Sequence, residues 1–222
     1  MNYQEFLEEL KALSDEKYRD FHKKLLKNES VQVIGVRVPE LRKLAKKYRD
    51  KIDTLFTFPD EYYEVTFIKL TAVSLLEYSE FLKYITRCVM LIDNWATCDC
   101  FSPACIKKHR EEFLPFLREY AATNEEFTQR FALKTLLAYY VEDKYLDTIF
   151  SFVNNANCDY YYVHMAAAWL VAEVLVKYYD KGVKFLSEQT LDKKTHNKAI
   201  QKALESYRLS DDRKNFIKGL KR

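Results

Sequence analysis

Trp95 and Asp99 stand four residues apart in the segment LIDNWATCDCFSP, and Trp95 is one of only two tryptophans in the chain. On a helix, that spacing puts an indole and a carboxylate on one face. Asn94 is placed to cap such a helix, and Ser102-Pro103 to end it and begin the next. Arg130 and Trp169 on later helices, and basic groups near Arg37 and Lys198, are candidates for the same surface. An acid beside aromatics, framed by arginines and lysines, suits a task in which a cation and a polyanion are handled together. A surface built only to bind nucleic acid would avoid Asp99, because a carboxylate repels phosphate. The carboxylate makes sense where positive charge develops, as at a sugar losing its base. Taken singly, these residues are ordinary: a lone Trp95 reads as core, and a lone Asp99 as a helix-end charge or a lysine's partner.

Other chemistries find less support. Cys98, Cys100, Cys105 and His109 invite a metal reading, but C-x-C-x4-C matches no common zinc spacing and no second CxxC follows. Small buried thiols are the expected alternative. His22, His164 and His196 are isolated, there is no glycine-rich phosphate loop, and no Ser/Cys–His–Asp arrangement is readable. No metal and no cofactor are therefore expected. The run Tyr160-Tyr161-Tyr162 reads as core packing.

The elements that must position these residues are helices. Only 3 Gly and 4 Pro occur in 222 residues, too few turn formers for a sandwich or barrel. Apolar residues recur at a period of 3.6 nearly throughout. Helices are expected at about 2–12, from Ser14 through DEKYRDFHKKLLK, from Pro39 through PELRKLAKKYRD, and at 61–77, 79–92, 94–101, 104–121, 125–141, 143–155, 160–178, 181–189, 192–207 and 211–220. Ser79, Asn124 and Ser210 are candidate caps, and NESVQVIGVRV is a loop or extended connection. Long helices beginning near 125 and 160 are each followed by a shorter one, near 143 and 180, and YYEVTFIKLTAVSLLEY with EFLKYITRCVMLI has the same character. Helix pairs at such a period describe an α-solenoid of HEAT type with a concave face, a globular bundle being the alternative. One domain over residues 1–222 is expected from the length.

The net charge of +3 hides an asymmetry. Residues 193–222 carry ten Lys/Arg against three Asp/Glu, a net of +7, and the remainder a net of −4. Arg37 to Lys51 holds seven Lys/Arg against Glu40 and Asp50. Such blocks serve as polyanion contacts or as solvated helical surface. The start MNYQEFLEELK reads as an acidic amphipathic helix rather than a signal peptide, and no apolar run reaches spanning length. Five cysteines, an odd number, fit a reducing compartment. A soluble, cytoplasmic monomer without a membrane partner is expected.

The segments IGVRVPELRKLAKKYR, DNWATCDCFSP, QRFALKTLLAYY, YYVHMAAAWLVAEVL and HNKAIQKALESYRLSDDRKNFIKGLKR resemble the AlkD-type DNA alkylation repair glycosylases from about residue 15 onward. The resemblance implies an all-α, right-handed superhelix of HEAT-like repeats whose concave face grips duplex DNA. It implies release of cationic N3- and N7-alkylated purines, with the base still largely stacked. It makes Asp99 the catalytic carboxylate, with Trp95, Arg130 and Trp169 beside it. Arg37, Arg42, Lys43, Lys198, Lys202, Arg208 and Arg213 become DNA contacts, alkylated duplex DNA the partner, and the nucleoid the location when bound. Ala-Thr-Cys between Trp95 and Asp99, followed by Cys100, departs from the family pattern and implies a softer pocket wall. The competing reading is a non-catalytic HEAT-like module for nucleic acid or protein; the presence of Asp99 counts against it. A protein scaffold whose basic tail is merely solvated is the third.

Overall fold

The computed structural model describes residues 2–26, 28 and 30–222. Met1 at the head of MNYQEFLEELK, Lys27 at the end of the second expected helix and Glu29 within NESVQVIGVRV lie outside the described residues. The described residues are all-α apart from two isolated bridges, Ser14 with Val36 and Gln32 with Tyr62. Packing groups the chain into two compact units, Met1–His109 and Arg110–Arg222. No helix is long and apolar enough to cross a membrane among the described residues.

The first unit contains α1 (Tyr3–Ala12), α2 (Glu16–Leu26), α3 (Val38–Lys47), α4 (Ile52–Leu55), α5 (Tyr63–Ser74), α6 (Tyr78–Phe81), α7 (Ile85–Met90) and α8 (Trp95–Cys100). Its centre is α5, buried on nearly every side and packed against α3, α4, α7 and α8. Such a helix has no polar face, as expected of one that neighbours surround. It nevertheless carries two charges with no solvent exposure, Glu64 and Lys69. The Glu64 carboxylate accepts backbone N–H groups from Ile34 (3.0 Å), Gly35 (2.7 Å) and Val36 (3.3 Å). The Lys69 ammonium donates to the Phe58 carbonyl (2.7 Å) and to Asp60 (2.9 Å). The two charges thus satisfy backbone of the loops entering α3 and α5, groups that would otherwise be buried unpaired. Gly35 is required where it stands: its φ is +101°, and an added Cβ would lie 2.6 Å from the Asp15 carbonyl oxygen.

The second unit contains α9 (Arg110–Ala121), α10 (Glu126–Tyr139), α11 (Leu146–Asn155), α12 (Tyr161–Lys177), α13 (Tyr179–Ser187), α14 (Lys193–Leu204) and α15 (Asp211–Lys218). Helices α10, α12 and α14 pack side by side, with α12 between the other two; α9 backs α10, α13 backs α12 and α15 backs α14. The side-by-side packing is that of a HEAT-like repeat: the pair expected at 160 and 180 is α12 with α13, whereas α10 is backed mainly by the preceding α9 instead of by α11. Ala166-Ala167-Ala168, all buried, give α12 a slim waist against its neighbours. Between α12 and α14 the His164 ring makes a polar tie, its Nδ1 lying 2.8 Å from the Thr195 hydroxyl.

Several expected boundaries move. Asp15, not Ser14, caps α2, its carboxylate accepting the Tyr18 N–H at 3.0 Å while Ser14 donates back to Lys11. The helix expected at 79–92 is split into α6 and α7, where i→i+3 bonds at Lys83 and Tyr84 tighten the chain; Glu77 stands at the cap position, without a side-chain bond, instead of Ser79. The helix expected at 104–121 is a 3-10 turn over Ala104–Lys108 and then α9, with the His109 ring at the junction stacked 4.1 Å from Tyr78. Asn124 does not cap α10, because it receives the Tyr160 hydroxyl; Glu125 takes the position without a side-chain bond. Ser210 does cap α15, accepting from Arg213.

Glu64→Ala should lower the unfolding free energy of the first unit by about 3 kcal/mol, because it strands three buried N–H groups. Glu64→Gln, which keeps one acceptor oxygen, should cost less. Denaturant titration in a Trp169→Phe background checks this, since the remaining indole, Trp95, then reports on the first unit alone.

Candidate functional site

Helix α8 begins where Asn94 leaves extended backbone and its side chain accepts the Thr97 N–H at 3.0 Å. Ala96, Thr97 and Cys98 are buried and seat α8 on α5, leaving Trp95, Asp99 and Cys100 half-buried on the other side. The structure therefore brings Trp95 and Asp99 onto one open face, as their spacing implies. The indole is fixed by donating its Nε1–H to the Leu25 carbonyl of α2 at 3.3 Å. Of the cysteines that suggested metal, Cys98 is fully buried, and Cys100 and Cys105 are half-buried. No three His, Cys, Asp or Glu side chains converge on a cation position among the described residues.

Helix α2 also supplies His22, which the sequence leaves isolated. Its ring is 5 % exposed, lies 5.4 Å from the Tyr18 ring and 4.6 Å from that of Tyr63, and its Nε2 finds no hydrogen-bond partner among the described residues. Burial pushes its pKa below the ordinary histidine value, which favours a neutral imidazole at pH 7. His22, on the helix whose Leu25 carbonyl holds the Trp95 indole, is thus a poor proton donor. Burial also raises Tyr18 and Tyr63, with the Cys100 thiol adding to both.

In the second unit, Arg130 lies on α10 and is 4 % exposed. Its Nη1 donates to the Tyr162 carbonyl at 2.8 Å, and the guanidinium sits 5.7 Å from the Tyr162 ring centroid. Glu126, one turn earlier, accepts the Tyr162 N–H at 2.7 Å. An acid and a base on α10 thereby grip the first turn of α12 by its backbone. Trp169 is 46 % exposed in the middle of α12, flanked by the buried Ala168 and Leu170.

The expected DNA-contacting cations fall in both units. Arg37 pairs with Asp15 at 2.7 Å and lies 4.9 Å above the Tyr18 ring; Arg42 is exposed on α3; Lys43 pairs with Glu40 at 2.8 Å. Lys198 and Lys202 lie one turn apart on α14, the first bonded to Gln201 and the second paired with Glu205. Arg208, in the connection to α15, makes a two-point contact with Glu173 on α12. Arg213 on α15 stacks 4.5 Å over Tyr179. Many of the basic groups are therefore partly neutralised within their own unit, which charge counting does not show.

Glu173 is the residue that sequence reasoning missed. The signal was present: Trp169-x3-Glu173 repeats the spacing of Trp95-x3-Asp99. Burial alone would raise the Glu173 carboxyl, but Arg208 and Lys177 outweigh it and hold it below the usual carboxylate range.

No curated protein matches the chain. The family model described as DNA alkylation repair enzyme matches residues 6–207, a span that contains Trp95, Asp99, Arg130 and Trp169 and stops just short of Arg208 and Arg213. A match over that much of an all-helical chain, holding both tryptophans and the acid of α8, places the protein: it belongs to the DNA alkylation repair enzyme family.

Proposed function

We propose that the protein is a DNA glycosylase that hydrolyses the N-glycosidic bond of cationic N3- and N7-alkylated purines in duplex DNA and leaves an abasic site. The observation that carries this reading is the Trp95–Asp99 face of α8 in a chain of the DNA alkylation repair family. In the reaction, the bond between C1′ and the purine nitrogen breaks and its electron pair neutralises the base. Water adds its oxygen to C1′ and loses a proton. Positive charge builds on the sugar meanwhile, and a fixed carboxylate stabilises it more than it stabilises the ground state. Asp99 fills that role and orients the water. Trp95, its indole tethered to Leu25, offers an aromatic face to the deoxyribose and to positive charge; in the second unit Trp169, open to solvent, offers one to the DNA. Arg130 is assigned the phosphate that sets the register, with the Tyr162 carbonyl fixing the direction of its guanidinium. Arg37, Arg42, Lys43, Lys198, Lys202, Arg208 and Arg213 are assigned to the backbone, and the chain acts as a cytoplasmic monomer.

Asp99→Asn should slow single-turnover base release by about 100-fold or more while duplex binding stays equal or tightens, since removing a carboxylate beside phosphate relieves repulsion. Near-normal release by this variant would remove Asp99 from the mechanism and leave a DNA-binding module.

Binding to duplex should be independent of sequence and fall steeply with salt. Lys198→Ala and Lys202→Ala should each reduce the slope of log affinity against log salt by about one. A slope unchanged in both would put the DNA elsewhere on the protein.

Release should be confined to cationic bases. His22 is held toward its neutral form, and a neutral leaving group needs an acid that α8 does not supply. A panel of duplexes, each with one lesion, should show release of N3- and N7-alkylpurines and none of uracil or hypoxanthine. Equal rates on both kinds would reveal a concealed acid.

A further inference from the structure

Arg208 sits outside the span matched by the family model, in the connection between α14 and α15. That connection is held at its α15 end, where Leu209 is buried and Ser210 caps the helix. Arg208 reaches across to α12, where Nη1 and Nη2 donate to the two oxygens of Glu173 at 3.0 and 2.5 Å. Lys177 approaches the same carboxylate at 3.4 Å. Glu173 lies one turn beyond the exposed Trp169, and its own side chain is 19 % exposed against 57 % for Arg208. The carboxylate is thus embedded, and the guanidinium stands outside it.

A guanidinium has five N–H donors in a planar fork. Glu173 takes two of them, at the end of the fork. The Nε–H and the outer Nη hydrogens make no hydrogen bond to other described residues and lie on the edges facing away from the carboxylate. Such an edge matches two oxygens of a phosphate. A carboxylate behind a guanidinium reduces its charge but removes its freedom. In water a long arginine chain explores many rotamers, and ordering it on binding costs affinity.

We propose that Arg208 is a phosphate site on the second unit and that Glu173 is its positioning residue, holding the guanidinium by one edge so that another meets a DNA backbone phosphate beside Trp169. This rests on DNA being the partner, not on the glycosylase reaction. It makes a prediction opposite to simple charge arithmetic. Removing the negative charge of Glu173 should tighten binding to a polyanion if the residue only opposes phosphate. If it positions Arg208, removal should weaken binding.

The test uses the full chain and an undamaged mixed-sequence duplex, with affinity measured by fluorescence anisotropy over a sodium chloride series and thermal midpoints recorded alongside. Arg208→Ala should weaken binding and reduce the salt slope by about one. Glu173→Gln should keep the slope and bind roughly threefold to tenfold more weakly, the penalty of an unheld side chain. Arg208→Lys, which keeps the charge but cannot fork, should behave as Glu173→Gln does. The double variant Glu173→Gln with Arg208→Ala should bind no more weakly than Arg208→Ala alone, because the two act as one unit. Glu173→Gln binding as tightly as wild type or tighter, an unchanged slope in Arg208→Ala, or additive losses in the double variant would each overturn the proposal. A wild-type protein that ignores duplex DNA altogether would instead overturn the DNA reading, and this site with it.

Discussion

A helix surrounded by its neighbours has no room for a polar face, yet the loops packed against it bring backbone groups that must be satisfied. In the first unit α5 meets both demands with two charges placed where no water reaches. Glu64 collects the N–H groups of Ile34, Gly35 and Val36, and Lys69 collects the Phe58 carbonyl. A buried charge is costly unless it is paired and hydrogen-bonded, so each helps to specify one arrangement of the loop it holds. Burial wins over the three backbone donors at Glu64, whose carboxyl is pushed above its ordinary range, and burial lowers Lys69 despite Asp60. The placement of α3, and with it Arg37 and Arg42, follows from the Glu64 contact. Helix α8 with Trp95 and Asp99 is seated on the same helix.

The second unit solves the same problem with the same pair of chemistries. Glu126 accepts an N–H and Arg130 donates to a carbonyl, both of Tyr162. The acid and base are a turn apart on α10, and their target is the first turn of the next long helix. Arg130 thereby has an architectural duty beside any role toward DNA. Its near-complete burial follows from the first duty. Trp169, on the helix so gripped, stays 46 % exposed.

What could be read from sequence divides along the reach of the interaction. The face shared by Trp95 and Asp99, the Asn94 cap and the Ser210 cap are fixed within four residues, and all three stand as read. The long–short alternation of helices was legible because apolar periodicity is itself local. Ser79 and Asn124 failed as caps because a cap needs the chain to bend at that residue, and Asn124 was claimed by Tyr160 from 36 residues away. The break between α6 and α7 had no glycine or proline to announce it. Glu64, Lys69 and Glu173 carry no local mark of their pairing; their partners lie in other loops, 35 residues on in the case of Arg208. His22 looked isolated because Tyr63, 4.6 Å from its ring, comes from α5; Tyr18, one turn earlier on α2, was within local reach.

The grip of α10 on Tyr162 also bears on how such an array can change over generations. Glu126 and Arg130 are spelled in one repeat, while the backbone they hold is spelled in the next. Because the held groups are an N–H and a carbonyl, the residue at 162 can drift freely without breaking the grip, provided it is not proline. The gripping residues have no such latitude. Excising the repeat that carries Tyr162 would leave Glu126 and Arg130 without the turn they hold. Lineages carrying this arrangement are expected to alter side chains readily and repeat number seldom, a ratchet on architecture that leaves the open surface at liberty to diversify.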